Sequence, residues 1–355
     1  MSKNEAALKK NEAALKEANP KTVWINEAIL KTAGIGAADL KAALAARALD
    51  RRKRLAFQQT NSLLRSKRRA EQRKLAEKFL PPVLAQTGYD KREFEALRTQ
   101  AREEAQRAFE QQKSALVSYS PSIGASLRAK FETLRQARSA FGPPYPFLNF
   151  VVLDTPALIV PTPGVGFDGA HIEPDNTTVQ FDTSWQSPNT QNGVEEVSFL
   201  FFWQNPASTN AVVDVESYLA LNGFCSAWAW GGDPFSVDTA VIDLYAYLDV
   251  LEWWKTPPTS PPAQGLQQAK IGAVVAEASG LLSLGDYVSE AFTGDSSIYD
   301  VSYRGFVVPP HATALFEVRF GVVHDIMGGG SLSLDFFGGG RYNIVCPGVV
   351  LAILS

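Results

Sequence analysis

Histidine occurs three times in 355 residues, at His171, His311 and His324, and cysteine twice, at Cys225 and Cys346. A catalytic triad needs a nucleophile, an imidazole and an orienting acid, and the chain has neither a G-x-S-x-G elbow nor a cysteine set in a nucleophile motif. The two cysteines lie 121 positions apart in apolar, strand-like surroundings, which reads as buried thiols rather than a disulfide framework. No stretch offers the roughly 18 uninterrupted apolar residues of a membrane-spanning helix. The opening MSKNEAALKKNEAALKE is charged throughout and lacks the apolar core of a secretory signal. The expectation is a soluble chain without a span: cytoplasmic, virion-associated or exported by another route. No cofactor is expected, because TGDSS at Thr293–Ser297 lacks the lysine of a phosphate-binding loop and the glycines at 328–330 and 338–340 read as hairpin turns.

What is abundant is charge, and it is unevenly placed. Lys and Arg outnumber Asp and Glu by 29 to 15 in residues 1–140, whereas residues 141–355 hold 5 against 22. The two parts therefore carry about +14 and −17, an asymmetry that implies different surroundings or mutual attraction. Composition changes at the same place, where Gly142-Pro143-Pro144-Tyr145-Pro146 breaks any preceding helix. The sequence thus predicts a basic helical region over 1–141, a proline-rich linker over 142–146 and an acidic β-sandwich over 147–355.

In the first region KNEAALK occurs twice, at Lys3–Lys9 and Lys10–Lys16, and a degenerate copy, INEAILK, follows at Ile25–Lys31. A seven-residue repeat with Leu8 and Leu15 on one face is a coiled-coil signal, although two heptads are too short to be stable without a partner helix. Residues 37–80 contain neither Gly nor Pro and predict a helix of about 60 Å. Another helix is expected from Tyr89-Asp90 to about Val117, with Phe94, Leu97, Ala101, Ala105 and Ala108 forming a seam. A last one is expected after Ser120-Pro121. Rod and bundle are both compatible with this pattern. Two basic clusters, Arg51, Arg52, Lys53 and Arg54, then Arg65, Lys67, Arg68 and Arg69, suit phosphate neutralisation. They equally suit a solvated helix face or a face meeting an acidic subunit.

In the second region strand candidates recur every 10 to 20 residues, among them 194–203, 211–221, 225–230, 239–251, 269–277, 299–308, 312–324, 331–337 and 342–354. Leu315, Glu317, Arg319 and Gly321 alternate with Phe316, Val318, Phe320 and Val322, the period of a strand with one face in a core. About ten such strands predict an antiparallel sandwich of jelly-roll type. A short helix is expected between Ser279 and Tyr287, and the apolar 342–354 is expected to be a central strand or an intersubunit strand, bent at Pro347-Gly348.

Two candidate sites emerge. Asp168, His171, Glu173 and Asp175 in FDGAHIEPDN place oxygens and an imidazole close enough for a cation, though the same residues make a polar turn. Trp228 and Trp230, two apart, project from one face of a strand and, with Trp185, offer a stacking platform for a sugar or a protein partner. Core packing explains most of the tryptophans. The resulting expectation is a non-enzymatic structural or binding protein, self-associating through its helices and presenting the sandwich as a recognition head. The alternatives are a pore-forming toxin with a β-rich receptor-binding domain and a nucleic-acid-binding virion or assembly component.

Overall fold

The computed structural model describes residues 24–36, 90–119, 148–161, 171–173, 178–187, 190–231, 237–253, 264–278, 283–292, 297–336 and 343–354, with isolated positions between 38 and 88. These residues are mostly strand. In chain order the strands are β1 (Trp24–Ile25), β2 (Leu148–Leu153), β3 (Leu158–Pro161), β4 (His171–Glu173), β5 (Thr178–Ser187), β6 (Gln191–Gln204), β7 (Ala211–Ala229) and β8 (Asp238–Trp253). There follow β9 (Gln264–Ala278), β10 (Asp286–Phe292), β11 (Ile298–Val308), β12 (Thr313–Met327), β13 (Gly330–Phe336), β14 (Asn343–Val345) and β15 (Val349–Leu354). Two helices, α1 (Glu27–Thr32) and α2 (Lys91–Tyr119), complete the described elements.

The strands form two antiparallel sheets that share one core. One sheet has six strands in the order β1-β3-β6-β12-β8-β9. The other has nine and is organised about β7, whose 19 residues extend about 60 Å. One edge of β7 carries β11 along 211–220 and then β10 along 223–229. Its other edge carries β15, β14 and β13 in succession. This overturns the jelly-roll expectation: a spine long enough to pair with five shorter strands replaces eight strands in two Greek keys.

Alternation sets the core. Val197, Phe199, Phe201 and Trp203 of β6, Phe316, Val318, Phe320 and Val322 of β12, and Ile242, Leu244, Leu248 and Val250 of β8 are buried against Val213, Val215, Leu219, Leu221, Cys225 and Ala227 of β7. β7 alternates buried and half-buried residues only as far as Leu219. Beyond that both of its faces are covered.

The helical expectation is corrected most. Among the described residues there is neither a coiled coil nor a helical bundle, because the two helices pack on sheet rather than on each other. The third heptad copy becomes the pair β1 and α1. Trp24 and Ile25 pair with Ile159 and Leu158 of β3, and the Asn26 side chain caps α1 by accepting from the Ile29 amide. At the other end Ile35 N donates to Leu30 O at 2.9 Å and Gly34 N to Lys31 O at 3.1 Å, with Gly34 at φ +70°. This Schellman closure brings Leu30 and Ile35 together, and both bury against Leu158, Leu200, Phe202 and Leu315 on the outer face of the six-stranded sheet.

α2 begins where expected, with Asp90 Oδ1 accepting from Arg92 N at 2.7 Å. Among its described side chains the covered stripe is Phe94, Arg98, Ala101 and Ala105, while Leu97 and Ala108 are exposed. The spacing of 4, 3 and 4 resembles a heptad seam, yet α2 lies against β10 and reaches β7. Helix-mediated self-association therefore finds no support in it. The helix expected between Ser279 and Tyr287 is also corrected over its described residues, 283–287, because β10 begins at Asp286, whose carboxylate accepts from Glu277 N at 2.8 Å and so ties β10 to β9. The heptads at 3–16 and the helix expected after Ser120-Pro121 lie outside the described residues.

Candidate functional site

The outer face of the nine-stranded sheet, at the β5-β13-β7-β10 end, carries two adjacent rows of side chains. Ser184, Ser333, Ser226 and Ser289 stand in register across the four strands. At about 4.8 Å between strands, the row places four hydroxyls along about 14 Å. Two residues further along lies the row Gln186, Ser331, Trp228 and Tyr287. Ser184 and Gln186 are exposed, Ser331, Ser333 and Ser289 are half-buried, and Ser226 and Trp228 are buried. The face thus runs from open to covered.

The cover at the closed end is α2. Arg98 Nη1 donates to Gly231 O at 3.2 Å. The Arg102 guanidinium carbon lies 5.2 Å from the Trp228 ring centre and 5.6 Å from that of Trp230. Those two indoles meet edge to face, 6.4 Å apart with planes at 64°, making a corner whose negative ring faces attract a cation. Beside it burial pushes the Tyr287 phenol up to about 12, with the Glu110 carboxylate of α2 adding to the rise against the opposing Ser226 and Ser289 hydroxyls.

Trp228 of β7 and Trp230, just past its end, lie together under Arg102, but Trp185 is not with them. It points into the core, where its ring stacks on His324 with centroids 4.0 Å apart. Burial pushes that imidazole down to about 4. The ring has room because position 193 is glycine; a Cβ there would meet His324 Cε1 at 2.4 Å.

A second charged group lies under the outer face of the six-stranded sheet. Arg319, 4 % exposed, approaches Asp249 Oδ2 at 3.2 Å and Glu196 Oε1 at 3.6 Å, and its guanidinium sits 4.3 Å from the Tyr247 ring centre. Glu317, also buried, accepts from Ser198 Oγ at 2.8 Å. Burial opposes the guanidinium charge, but Glu317, Glu196 and Asp249 outweigh it and hold the proton more firmly than usual. The group is a buried cluster in which one guanidinium faces three carboxylates.

Of the expected cation site, Asp168 and Asp175 lie outside the described residues, and His171 and Glu173 form the two ends of β4, pairing with Gln180 and Thr178. No three His, Cys, Asp or Glu side chains among the described residues gather as metal ligands would. The basic clusters at 51–54 and 65–69 lie outside the described residues. Cys225 and Cys346 are both buried and unpaired with each other, and burial pushes both thiols up. No described helix is long and apolar enough to cross a membrane.

The serine row escapes sequence reading because its members come from four separated strands. Its one signal is SLSL at 331–334, where serines alternate with core leucines.

No protein-family model matches the chain, and no curated protein matches it. Among solved structures, TmCBM61 in complex with β-1,4-galactotriose is similar at 9% identity over 57% of this chain and 88% of that one, with a TM-score of 0.17. The enzymatically active domain of tailspike protein 4 from Bacteriophage CBA120 is similar at 9% identity over 56% of this chain and 19% of its own, with a TM-score of 0.17. A third, CsCBM6-3 from Clostridium stercorarium in complex with cellobiose, is similar at 11% identity over 48% of this chain and 91% of its own, with a TM-score of 0.13. TM-scores this low establish neither a shared fold nor a shared ligand.

Proposed function

We propose that this chain is a non-enzymatic binding protein that recognises a neutral glycan on the outer face of its nine-stranded sheet. The observation that carries the reading is the register of two rows: four serines across four strands, and beside them Gln186, Ser331, Trp228 and Tyr287. Hydroxyls and an amide supply donors and acceptors for sugar hydroxyls. The aromatic rings supply an apolar surface for the C–H face of a pyranose. Two rows of uncharged side chains suit a neutral oligosaccharide better than a phosphate-bearing polymer, whose recognition requires Lys and Arg.

The test is calorimetry with a panel of soluble neutral oligosaccharides. Binding by at least one is expected, with Trp228→Ala weakening it roughly tenfold and Ser333→Ala weakening it less. Absence of binding across the panel by a protein shown to be folded would sink the reading.

A further inference from the structure

We propose that α2 is a displaceable cover over the aromatic half of this face, held by two arginines, and that ligand and helix compete for Trp228. The proposal rests on the glycan reading for the identity of the competitor. The cover itself is argued from the helix.

A docked helix of 29 residues ordinarily presents an apolar stripe to its support. Among the described side chains of α2, Phe94 is the one large apolar residue that is buried, and Leu97 is exposed. Arg98, Ala101 and Ala105 are the other described side chains on the covered side, and alanine contributes little area. Two contacts from the helix to the sheet are made by arginines: Arg98 to Gly231 O, and Arg102 on the Trp228–Trp230 corner. Arg102 is itself exposed and Arg98 half-exposed, so water competes for both. Such contacts exchange for another ligand far more readily than a packed apolar interface does. The binding geometry is specific nevertheless, because two indoles at 64° embrace one planar cation.

The cover is partial. Ser184 and Gln186 remain open while Ser226 and Trp228 are closed, so a chain ligand gains a foothold on the open serines and then meets Arg102. Completing the contact with Trp228 requires the guanidinium to leave the ring. A ligand long enough to reach the indole therefore releases α2, and a shorter one does not.

The experiment compares the full chain with Arg98→Ala/Arg102→Ala and with Arg102→Lys. Amide hydrogen exchange over Lys91–Tyr119 and acrylamide quenching of tryptophan fluorescence are read with and without the oligosaccharide panel. Both arginines are at least partly solvated, so the variants are expected to fold. In the double variant, faster exchange in α2 and stronger quenching are expected, with oligosaccharide affinity raised roughly tenfold. Arg102→Lys, which keeps the cation, is expected to fall between. Unchanged exchange and quenching in the double variant would overturn the cover. Equal oligosaccharide affinity in wild type and double variant, with no change in α2 exchange on binding, would overturn it too. Release of α2 without binding of any oligosaccharide supports the cover and overturns the glycan reading instead.

Discussion

The His324 imidazole stacks on the Trp185 indole inside the core, with planes 22° from parallel. One ring comes from the six-stranded sheet and the other from the nine-stranded sheet, so the pair is a rivet between layers. The stack is also the one place where a core-facing group among the described residues titrates near neutral pH when exposed.

Its pH dependence follows. Burial lowers the histidine from its ordinary 6.5 to about 4, so the folded state binds fewer protons than the unfolded one between those values. The stability is fully present above about pH 6.5 and is lost as pH falls toward 4, by roughly 3 kcal/mol in all. Urea denaturation at pH 7.5 and pH 4.5 is expected to show this loss on top of any contributed by carboxylates. His324→Gln should be less stable at pH 7.5 and show a smaller loss on acidification. An equal loss in both proteins would rule out the histidine as its source.

Gly193→Ala addresses the same pair sterically. The new methyl would lie 2.4 Å from His324 Cε1 and 2.8 Å from Nε2, so the imidazole or the strand must move. A destabilisation of about 1–3 kcal/mol is expected. In a double-mutant cycle with His324→Ala, most of that penalty should disappear. Additive effects would mean the strain falls elsewhere.

Arg319 offers a third test. Removing the guanidinium leaves Glu196, Asp249 and Glu317 close together and buried with no cation. Arg319→Met is expected to cost about 3–5 kcal/mol, measured by urea denaturation. Arg319→Lys should recover only part of this, because an ammonium cannot reproduce the planar contact with Tyr247 or a forked approach to two carboxylates. Full rescue by lysine would reduce the site to a point charge.

The sheet core was largely legible in the sequence, and the reason is local. Phe316, Val318, Phe320 and Val322 declare their own period, and β12 with its inner face follows directly. The apolar 342–354 reads as a central or an intersubunit strand with a bend, and β14 and β15 each pair with β7 on either side of Pro347-Gly348. By contrast β7 reads as two strands because Asn222-Gly223 has turn chemistry. The chain instead runs straight through, since a Cβ at 223 would lie 2.4 Å from Phe336 Cδ1. That glycine serves the close approach of another strand. The helical pattern misled for a related reason: the seam read at Phe94, Leu97, Ala101, Ala105 and Ala108 has coiled-coil spacing, but spacing does not specify what covers a helix. Nothing local reveals that four serines from four strands fall into register, so the candidate face became visible only through pairing.

The length of β7 has a consequence for how the protein can come into being. Every partner of β7 lies downstream of it, from β10 at Asp286 to β15 at Leu354. A chain emerging from the ribosome therefore carries its central strand for more than a hundred residues before both edges can be filled. Such deferred, long-range pairing slows folding and leaves strand edges exposed to neighbouring chains meanwhile. Whatever keeps nascent copies apart during that interval matters as much to yield as the stability of the finished core.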